Sequence, residues 1–275
     1  MDEERSSSNN SNEAEQLTVE QAIANLQQTE DLGARYYAAW WLGKFRIKNS
    51  EAIAALLMAL EDDRDRAPDG GYPLRRNAAR ALGKLGDKSA VEPLIRCLEF
   101  PDFYVREAAA QALEMLNDQR CIPALTKLLN GGVAAATRVP GKPHLVQPYE
   151  AIIEALGTLG STKVTPLIEP FTQHQTEKVK YAAARAMYQL TKEERYGEML
   201  VSALSGDDLQ LRRSALMDLG AVGYLKAAQA IADTLAENSM KLIALKGLLE
   251  THLANHNTAK TPESFKIMDL MDSLL

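Results

Sequence analysis

The sequence predicts an all-α protein, built as a right-handed α-solenoid of stacked helical hairpins. One short phrase recurs six times along the 275 residues, for example as NAARALGKLGD at 77–87 and AIIEALGTLGS at 151–161. Such internal repetition is typical of helical hairpins that each bury a face against their neighbours. Alanine and leucine, which favour helices, dominate the phrase, and only 6% of the chain is aromatic. Gly- and Pro-containing stretches between the copies provide the turns.

The repeats align on one apolar residue in each copy of the phrase. These aligned residues are Leu42, Leu82, Leu113, Leu156, Met187 and Leu219. Their spacings are 40, 31, 43, 31 and 32 residues, and a unit of about 31 residues suffices for two three-turn helices with tight turns. The two long spacings therefore contain inserts, at 61–73 and 130–148. We expect about six to seven hairpins of the HEAT-like type, each burying the aligned residue and the residue four positions before it.

Three segments are predicted along the chain. Residues 1–16 are polar, acidic and rich in Ser and Asn, which predicts a disordered tail. The solenoid is expected to span 17–257 and to begin at a capping box formed by Thr18 and Gln21. Residues 258–275 are predicted to contain an amphipathic helix that either caps the solenoid or docks on a partner. The predicted apolar face of this helix comprises Phe265, Met268, Met271 and Leu275.

Composition and charge argue against several classes of protein. The formal net charge of -6 and the pI near 5.4 argue against a nucleic-acid binder, which usually displays clustered Lys and Arg. No apolar run reaches the length of a membrane span. Two cysteines are too few for a secreted disulfide framework, so we expect a reducing, cytoplasmic compartment.

Catalytic and metal-binding motifs are largely absent from the sequence. There is no GxSxG, P-loop or CxxC, and no pair among the four histidines has the spacing of metal ligands. Cys97 and Cys121 lie in apolar helical contexts and are expected to be buried and unreactive. The sequence therefore predicts no metal site.

One face of each first helix is predicted to be exposed, and the six exposed faces form a continuous surface. The positions six and two residues before the aligned residue lie on it. The pairs are Tyr36/Trp40, Arg76/Arg80, Glu107/Gln111, Glu150/Glu154, Tyr181/Arg185 and Arg213/Met217. Aromatic rings beside two arginines suit a planar, conjugated, anionic ligand, although a solvated face of mixed charge explains the same pattern. Trp41 occupies a column that is Ala in four other copies and is expected to cap the open end of the core.

Two further features are predicted near this surface. The position seven before the aligned residue is a cation in five of six copies, and we expect these cations to pair with neighbouring acids or carbonyls. The two inserts are expected to emerge at one edge of the solenoid. They carry polar groups among Gly and Pro, namely Asp69, Tyr72, Arg138, Lys142 and His144.

Three stretches resemble the E-type subunits of the E/F-type bilin lyases. They are ARYYAAWWLGKFR, GGYPLRRNAARALGKLGD and RVPGKPHLVQPYEAIIEALGTLG, and the resemblance covers about residues 17–270. It implies a lyase that works as a heterodimer with an F-type subunit. The lyase would join phycocyanobilin, as its substrate, to a cysteine of the phycocyanin alpha chain by a thioether bond. No prosthetic group is implied, since the acceptor thiol forms the bond.

The resemblance also implies roles for residues of the exposed surface and the inserts. Two propionates of a bilin need cations, for which the candidates are Arg76, Arg80 and Arg138. Protonated pyrrole nitrogens need a carboxylate, for which the candidates are Glu107, Glu150, Glu154 and Asp69. Tyr36, Trp40 and Tyr149 are candidate walls for the rings, and His144 is a candidate proton donor.

Three alternatives stay open from the sequence. The first is a scaffold of HEAT type for phycobiliprotein assembly that binds no small molecule. The second is a helical-repeat enzyme acting on nucleic acid, which the net charge disfavours. The third is a lyase for a related bilin or another acceptor protein.

Overall fold

The structure is a computed structural model that describes residues 17–255 and 261–275. The predicted tail at 1–16 and the predicted boundary after 257 lie outside the described residues. The described residues form sixteen α-helices, which confirms the all-α prediction. The helices are α1 (Val19–Gln27), α2 (Leu32–Lys44), α3 (Ser50–Ala59), α4 (Pro73–Leu85), α5 (Val91–Cys97), α6 (Phe103–Leu116), α7 (Ile122–Lys127), α8 (Gly132–Ala135), α9 (Tyr149–Leu159), α10 (Thr165–Ile168), α11 (Glu177–Thr191), α12 (Glu194–Ala203), α13 (Leu209–Val222), α14 (Ala228–Asp233), α15 (Asn238–Asn255) and α16 (Pro262–Asp272).

Seven hairpins stack along the described part of the chain, as the repeats predict. Their first helices are α2, α4, α6, α9, α11, α13 and α15, and each packs against the first helix of the next hairpin. The second helices, α3, α5, α7, α10, α12, α14 and α16, are mostly shorter and form the other layer. Helix α1 precedes the first hairpin, and α8 lies within the second insert. This two-layer stack is the predicted α-solenoid.

The predicted buried stripe is confirmed. All six aligned residues are buried, and so are the Ala or Ile residues four positions before them. Neighbouring first helices approach closely where a glycine follows the aligned residue, because a Cβ there would lie 2.7 Å from the facing alanine Cα. The facing pairs are Gly43 with Ala81, Gly83 with Ala112, and Gly157 with Ala186. Trp41 packs against the same core and contacts Phe45, so it covers the first hairpin as expected.

The arginines seven positions before the aligned residues tie neighbouring turns together, as predicted. Arg35 donates to the Asp62 carboxylate at 2.7 Å, and Arg75 donates to the Asp62 backbone carbonyl at 2.6 Å. Arg212 donates to two backbone carbonyls, at 2.6 and 3.0 Å. Lys180 differs, because its ammonium lies over an aromatic ring. The arginines of this column therefore stabilise the packing of the solenoid.

The two inserts lie at one edge of the solenoid, as predicted. The ring of Tyr72, in the first insert, packs edge-on against Phe100 with 4.7 Å between ring centroids. Arg106 donates to the Phe100 carbonyl at 2.7 Å and to the Val146 carbonyl, in the second insert, at 2.9 Å. Phe100 and Arg106 thus connect the two inserts through the turn that precedes α6.

The two ends of the described chain are closed in different ways. Thr18 and Gln21 form the predicted capping box at the start of α1. The predicted apolar face of α16 is wrong for Phe265, Met268 and Leu275, which are 52%, 36% and 93% exposed. Instead, α16 packs against α14 and α15 through a stripe that is offset from the predicted one and centred on the buried Ile267. That stripe is Ile267, Leu270, Met271 and Leu274.

Among the residues that the structure describes, no helix combines the length and the apolar character that a membrane crossing requires. The same residues contain no group of three or more His, Cys, Asp or Glu side chains placed to hold a metal ion.

Candidate functional site

The exposed face of the first helices contains a groove made of two adjoining cavities. The near cavity, of about 250 Å³, lies between the start of α6, the end of the second insert, α9 and α11. The far cavity, of about 430 Å³, lies between α9, α11, α13 and α15. Glu150 and Lys178 line both cavities, so the two adjoin each other. We call the two adjoining cavities together the groove.

Aromatic residues of α6 and the second insert form the wall of the near cavity. The His144 ring stacks on Phe103 with 4.1 Å between centroids and an interplanar angle of 12°, and it meets Tyr104 edge-on at 5.8 Å. His144 Nδ1 lies 2.8 Å from the Leu145 carbonyl oxygen. Because a carbonyl only accepts, Nδ1 carries a hydrogen, and Nε2 is the ring atom that can exchange a proton with a ligand. The structure therefore brings the predicted proton donor to the groove.

Two of the three predicted propionate-binding arginines lie together beside this wall. The Arg76 guanidinium lies over the Tyr104 ring, 4.9 Å from its centroid, and Arg76 Nε is buried without a hydrogen-bond partner. Burial lowers the pKa of Arg80, and the positive charge of Arg76 adds to this effect, whereas Glu107 opposes it. Two arginines that lie four positions apart on α4, in a partly buried place, favour an anionic ligand.

Arg138 does not join this pair. It lies in the second insert, where its backbone pairs with Leu145, and its side chain is exposed. It lines a third cavity with His174, and this cavity shares Leu145 and Thr176 with the near cavity. Arg76 and Arg80 are not among the residues that line it.

Three of the four predicted carboxylates line the groove. Glu107 and Glu150 line the near cavity, and Glu154 lines the far one. Burial raises the pKa of Glu150, which Glu107 raises further and Lys178 lowers. Asp69 does not join them, because its carboxylate accepts from the Gly71 backbone N–H at 3.0 Å within its own exposed turn.

The predicted aromatic walls divide into an exposed pair and a buried residue. Tyr36 and Trp40 are both 43% exposed on α2, next to the hairpin that carries Arg76. Tyr37 packs against Trp40 with 5.4 Å between ring centroids. Tyr149, the third predicted wall, lies at the edge of the near cavity, where it is 2% exposed and packs against Phe171 in the core. Its ring is therefore mainly a core contact.

A buried cluster of one arginine and three carboxylates adjoins the groove, and two of its members, Glu154 and Asp218, line the far cavity. The sequence predicts Glu154 and Arg185 on the exposed face, but their side chains are only 20% and 15% exposed. Arg185 lies 3.2 Å from Glu114, 3.5 Å from Glu154 and 3.6 Å from Asp218. These four residues belong to four successive first helices, α6, α9, α11 and α13. The Thr158 hydroxyl also donates to Glu114, at 2.7 Å. We call these four residues the Arg185 cluster.

Burial and mutual repulsion favour protons on two carboxyls of the Arg185 cluster. Burial raises the pKa of Glu154 to about 8, with Asp218, Glu150 and Glu114 raising it further and Arg185 opposing. Burial likewise raises the pKa of Asp218 to about 6. At neutral pH the cluster can therefore hold a proton beside the far cavity.

The cysteines are buried and lie outside the groove. Burial raises the pKa of both Cys97 and Cys121 to about 11. Both thiols are therefore protonated at neutral pH, as expected for unreactive cysteines.

Comparison with known proteins places the chain in a family. Residues 34–62 match a model for PBS lyase HEAT-like repeats, and residues 67–138 match a model for HEAT repeats. The chain is 63% identical over 262 residues to the phycocyanobilin lyase subunit alpha of a Picosynechococcus species, covering 95% of this chain and 98% of that protein. It is 45% identical over 260 residues to the bilin biosynthesis protein PecE of a Nostoc species, covering 94% of this chain and 96% of PecE.

A solved structure has the same fold along its whole length. In the complex of CpcE and CpcF of phycocyanin lyase from Nostoc sp. PCC7120, one chain is 62% identical, with a TM-score of 0.88. The match covers 99% of this chain and 100% of that chain. Because the identity is high and the coverage nearly complete in both sequence and structure, this chain belongs to the phycocyanobilin lyase subunit alpha family, which contains the E-type subunits of the E/F-type bilin lyases.

Proposed function

We propose that this chain, together with an F-type subunit, attaches phycocyanobilin to a cysteine of the phycocyanin alpha chain by a thioether bond. The proposal is supported by near-complete coverage of phycocyanobilin lyase alpha subunits at 63% identity, against 45% for PecE. The similar chain in the CpcE and CpcF complex supports the two-subunit assembly. We place the reaction in the cytoplasm, where the acceptor cysteine stays a free thiol.

The observation that carries the proposal is the chemistry of the groove, which matches an open-chain tetrapyrrole. Such a ligand has flat rings, two propionates and a line of ring nitrogens. The groove offers Tyr104 and His144 for the rings. We assign the propionates to Arg76 and Arg80 of α4, beside the groove, since the Arg76 guanidinium lies over the Tyr104 ring. We assign the pyrrole nitrogens to Glu107 and Glu150, and we keep Tyr36 and Trp40 as a wall at the α2 end.

Holding and orienting the bilin is the main task in this reaction. The acceptor thiol adds to the ethylidene group of the first ring, so the subunit needs no nucleophile of its own. A carboxylate beside the ring nitrogens stabilises the protonated tetrapyrrole, which is the better electrophile. A bilin that is held in one orientation loses less entropy on reaching the transition state than one that meets the acceptor thiol freely in solution.

Reconstitution with an F-type partner, phycocyanobilin and the apo alpha chain tests this function. Covalent product is measured as bilin fluorescence on a denaturing gel, with and without the subunit. We expect Arg76→Ala and Glu150→Gln to slow attachment. Arg96→Ala and Glu92→Gln are matched controls, because both side chains are exposed on α5, in the layer of second helices.

Two results would overturn parts of the proposal. If the wild-type pair forms no covalent product, the proposed reaction is wrong. If Arg76→Ala and Glu150→Gln both attach bilin at the wild-type rate, the reaction stands and the groove is not the bilin site. A wild-type complex that binds the acceptor chain and leaves phycocyanobilin absorbance unchanged would favour the scaffold.

A further inference from the structure

The Arg185 cluster contains three carboxyl groups but only one positively charged group. One guanidinium lies within 3.6 Å of three carboxylates, and all four side chains are at most 20% exposed. Three ionised carboxylates on one cation would leave two uncompensated negative charges in a buried place. Protonation of one carboxyl removes part of this excess charge at a lower free-energy cost than burying it.

The contacts show which carboxyls share that proton. Glu114 has the shortest contact with Arg185 and also accepts the Thr158 hydroxyl, so its ionised form is well stabilised. Glu154 and Asp218 lie farther from the guanidinium, at 3.5 and 3.6 Å, and Arg185 Nε has no hydrogen-bond partner. The less stabilised pair, Glu154 and Asp218, is therefore where the proton resides.

The carboxyls of this pair border a cavity in which a ligand could accept the proton. Both Glu154 and Asp218 line the far cavity, whereas Glu114 does not border either part of the groove. The other charged groups that face the pair are Glu150 on its own helix α9, Lys178 on α11 and Arg213 on α13. Arg213 is occupied by an ion pair with Glu237, and Lys178 borders Glu150. The proton of the pair thus faces a cavity of about 430 Å³ that adjoins the near cavity at Glu150 and Lys178.

We propose that Glu154 and Asp218 act as one proton-donating pair that protonates the bilin in the groove and takes the proton back during attachment. This inference rests on the proposed function. The pair's proton moves to the basic ring nitrogen of the tetrapyrrole, and the acceptor sulfur then forms its bond to the ethylidene carbon. The C=C π electrons move into the conjugated system, and the proton on the ring nitrogen transfers to the ring carbon of the former C=C, which forms the C–H bond. The thiol proton returns to the pair.

The step balances without any oxidant or reductant. Overall, S–H adds across the ethylidene C=C, so one C–S and one C–H bond form while the S–H bond and the π bond break. The pair ends with the proton that it started with. General acid catalysis by a positioned carboxyl contributes about 100-fold or more, and a carboxyl can act in this way at neutral pH only when its surroundings keep it protonated.

The test is the pH profile of attachment by the complete complex of this chain, its F-type partner, phycocyanobilin and the apo alpha chain. We expect Glu154→Gln to lower the rate by about 100-fold and to remove the decline of the wild-type rate on the alkaline side. Asp218→Asn removes a negative charge beside Glu154, so the alkaline decline should move to lower pH by roughly one unit. Glu92→Gln is the control and should reproduce the wild-type profile.

The outcomes separate this inference from the proposed function. If the wild-type complex attaches no bilin, the proposed function itself is wrong. If the wild type attaches bilin and Glu154→Gln matches it in rate and profile, the proton-donating pair is wrong and the function stands. If Glu154→Gln is slow but keeps the alkaline decline, the cluster is structural and the inference is also wrong. If Glu154→Gln does not fold, the shift of the Asp218→Asn profile decides alone.

Discussion

Gly83→Ala tests whether the close crossing of first helices sets both the stability of the solenoid and the shape of the groove. A Cβ at Gly83 would lie 2.7 Å from the Ala112 Cα and 2.9 Å from the Ala112 Cβ. Ordinary van der Waals contact begins at 3.4 Å, so α4 and α6 must separate by roughly 0.7 Å at this point. The clash involves backbone, which no change of side-chain rotamer relieves.

Two opposing effects set the expected magnitude. Overpacking a well-packed core costs about 1–3 kcal/mol, whereas replacing Gly by Ala in a helix interior stabilises by about 1 kcal/mol. The overpacking effect is larger here because both helices are fixed by further crossings on either side. We expect a net loss of about 1–2 kcal/mol in the free energy of unfolding, which lowers Tm by about 2–8 °C for a chain of this size.

Thermal unfolding followed by circular dichroism measures this loss. Gly206→Ala is the matched control, since a Cβ there would lie 3.5 Å from its nearest neighbour, the Ala203 carbonyl oxygen. Helix α4 carries Arg76 and Arg80, while α6 carries Tyr104 and Glu107, so Gly83→Ala should also slow bilin attachment. A Gly83→Ala chain as stable as the Gly206→Ala control would refute the close-crossing argument.

Three further predictions follow from burial. Ile267→Ala should lower the free energy of unfolding by about 2–5 kcal/mol, while Phe265→Ala should change it by less than about 0.5 kcal/mol; equal losses in urea unfolding would contradict the observed face of α16. A double Cys97→Ala, Cys121→Ala chain should attach bilin at the wild-type rate, and a thiol reagent should label neither cysteine before unfolding; native labelling would contradict their burial. The pKa of Glu154 is raised in the fold from 4.5 to about 8, so its contribution to stability is present below pH 4.5 and declines as pH rises towards 8. Urea midpoints at pH 5 and pH 8 should therefore differ less for Glu154→Gln than for wild type, and an equal difference would count against the raised pKa.

The stacking of the hairpins could be predicted because the same pattern of buried positions recurs in six copies. Six copies of one phrase specify which positions pack, and the structure buries Leu82, Leu156 and their equivalents without exception. The last helix has no copy to compare with. Its pattern of Phe265, Met268, Ile267 and Met271 fits two overlapping apolar stripes, and only the shape of the last hairpin selects the one through Ile267.

The candidate site was predicted in part, for a related reason. Positions on the exposed face followed from helical spacing, so Arg76, Glu107 and Glu150 lie where expected. The inserts have no periodicity, and nothing in the sequence shows that His144 folds back onto Phe103 while Arg138 lines a third cavity. Tyr149 lies seven positions before the aligned Leu156, in the column where Arg35 and Arg75 are also buried.

The Arg185 cluster shows how a repeat protein can carry function where its own packing rule is broken. The residue after the aligned Leu is Gly where helices cross closely, but it is Glu114 in the third copy. The residue before the aligned Leu is Ala in four copies, but it is Asp218 in the sixth. Each exception places a carboxylate in a column that is Gly or Ala in four of the six copies, and both meet at Arg185. Packing alone disfavours a buried acid at either position. Asp218 lines the far cavity, and Glu114 contacts the same arginine, so we attribute both acids to the chemistry of the groove.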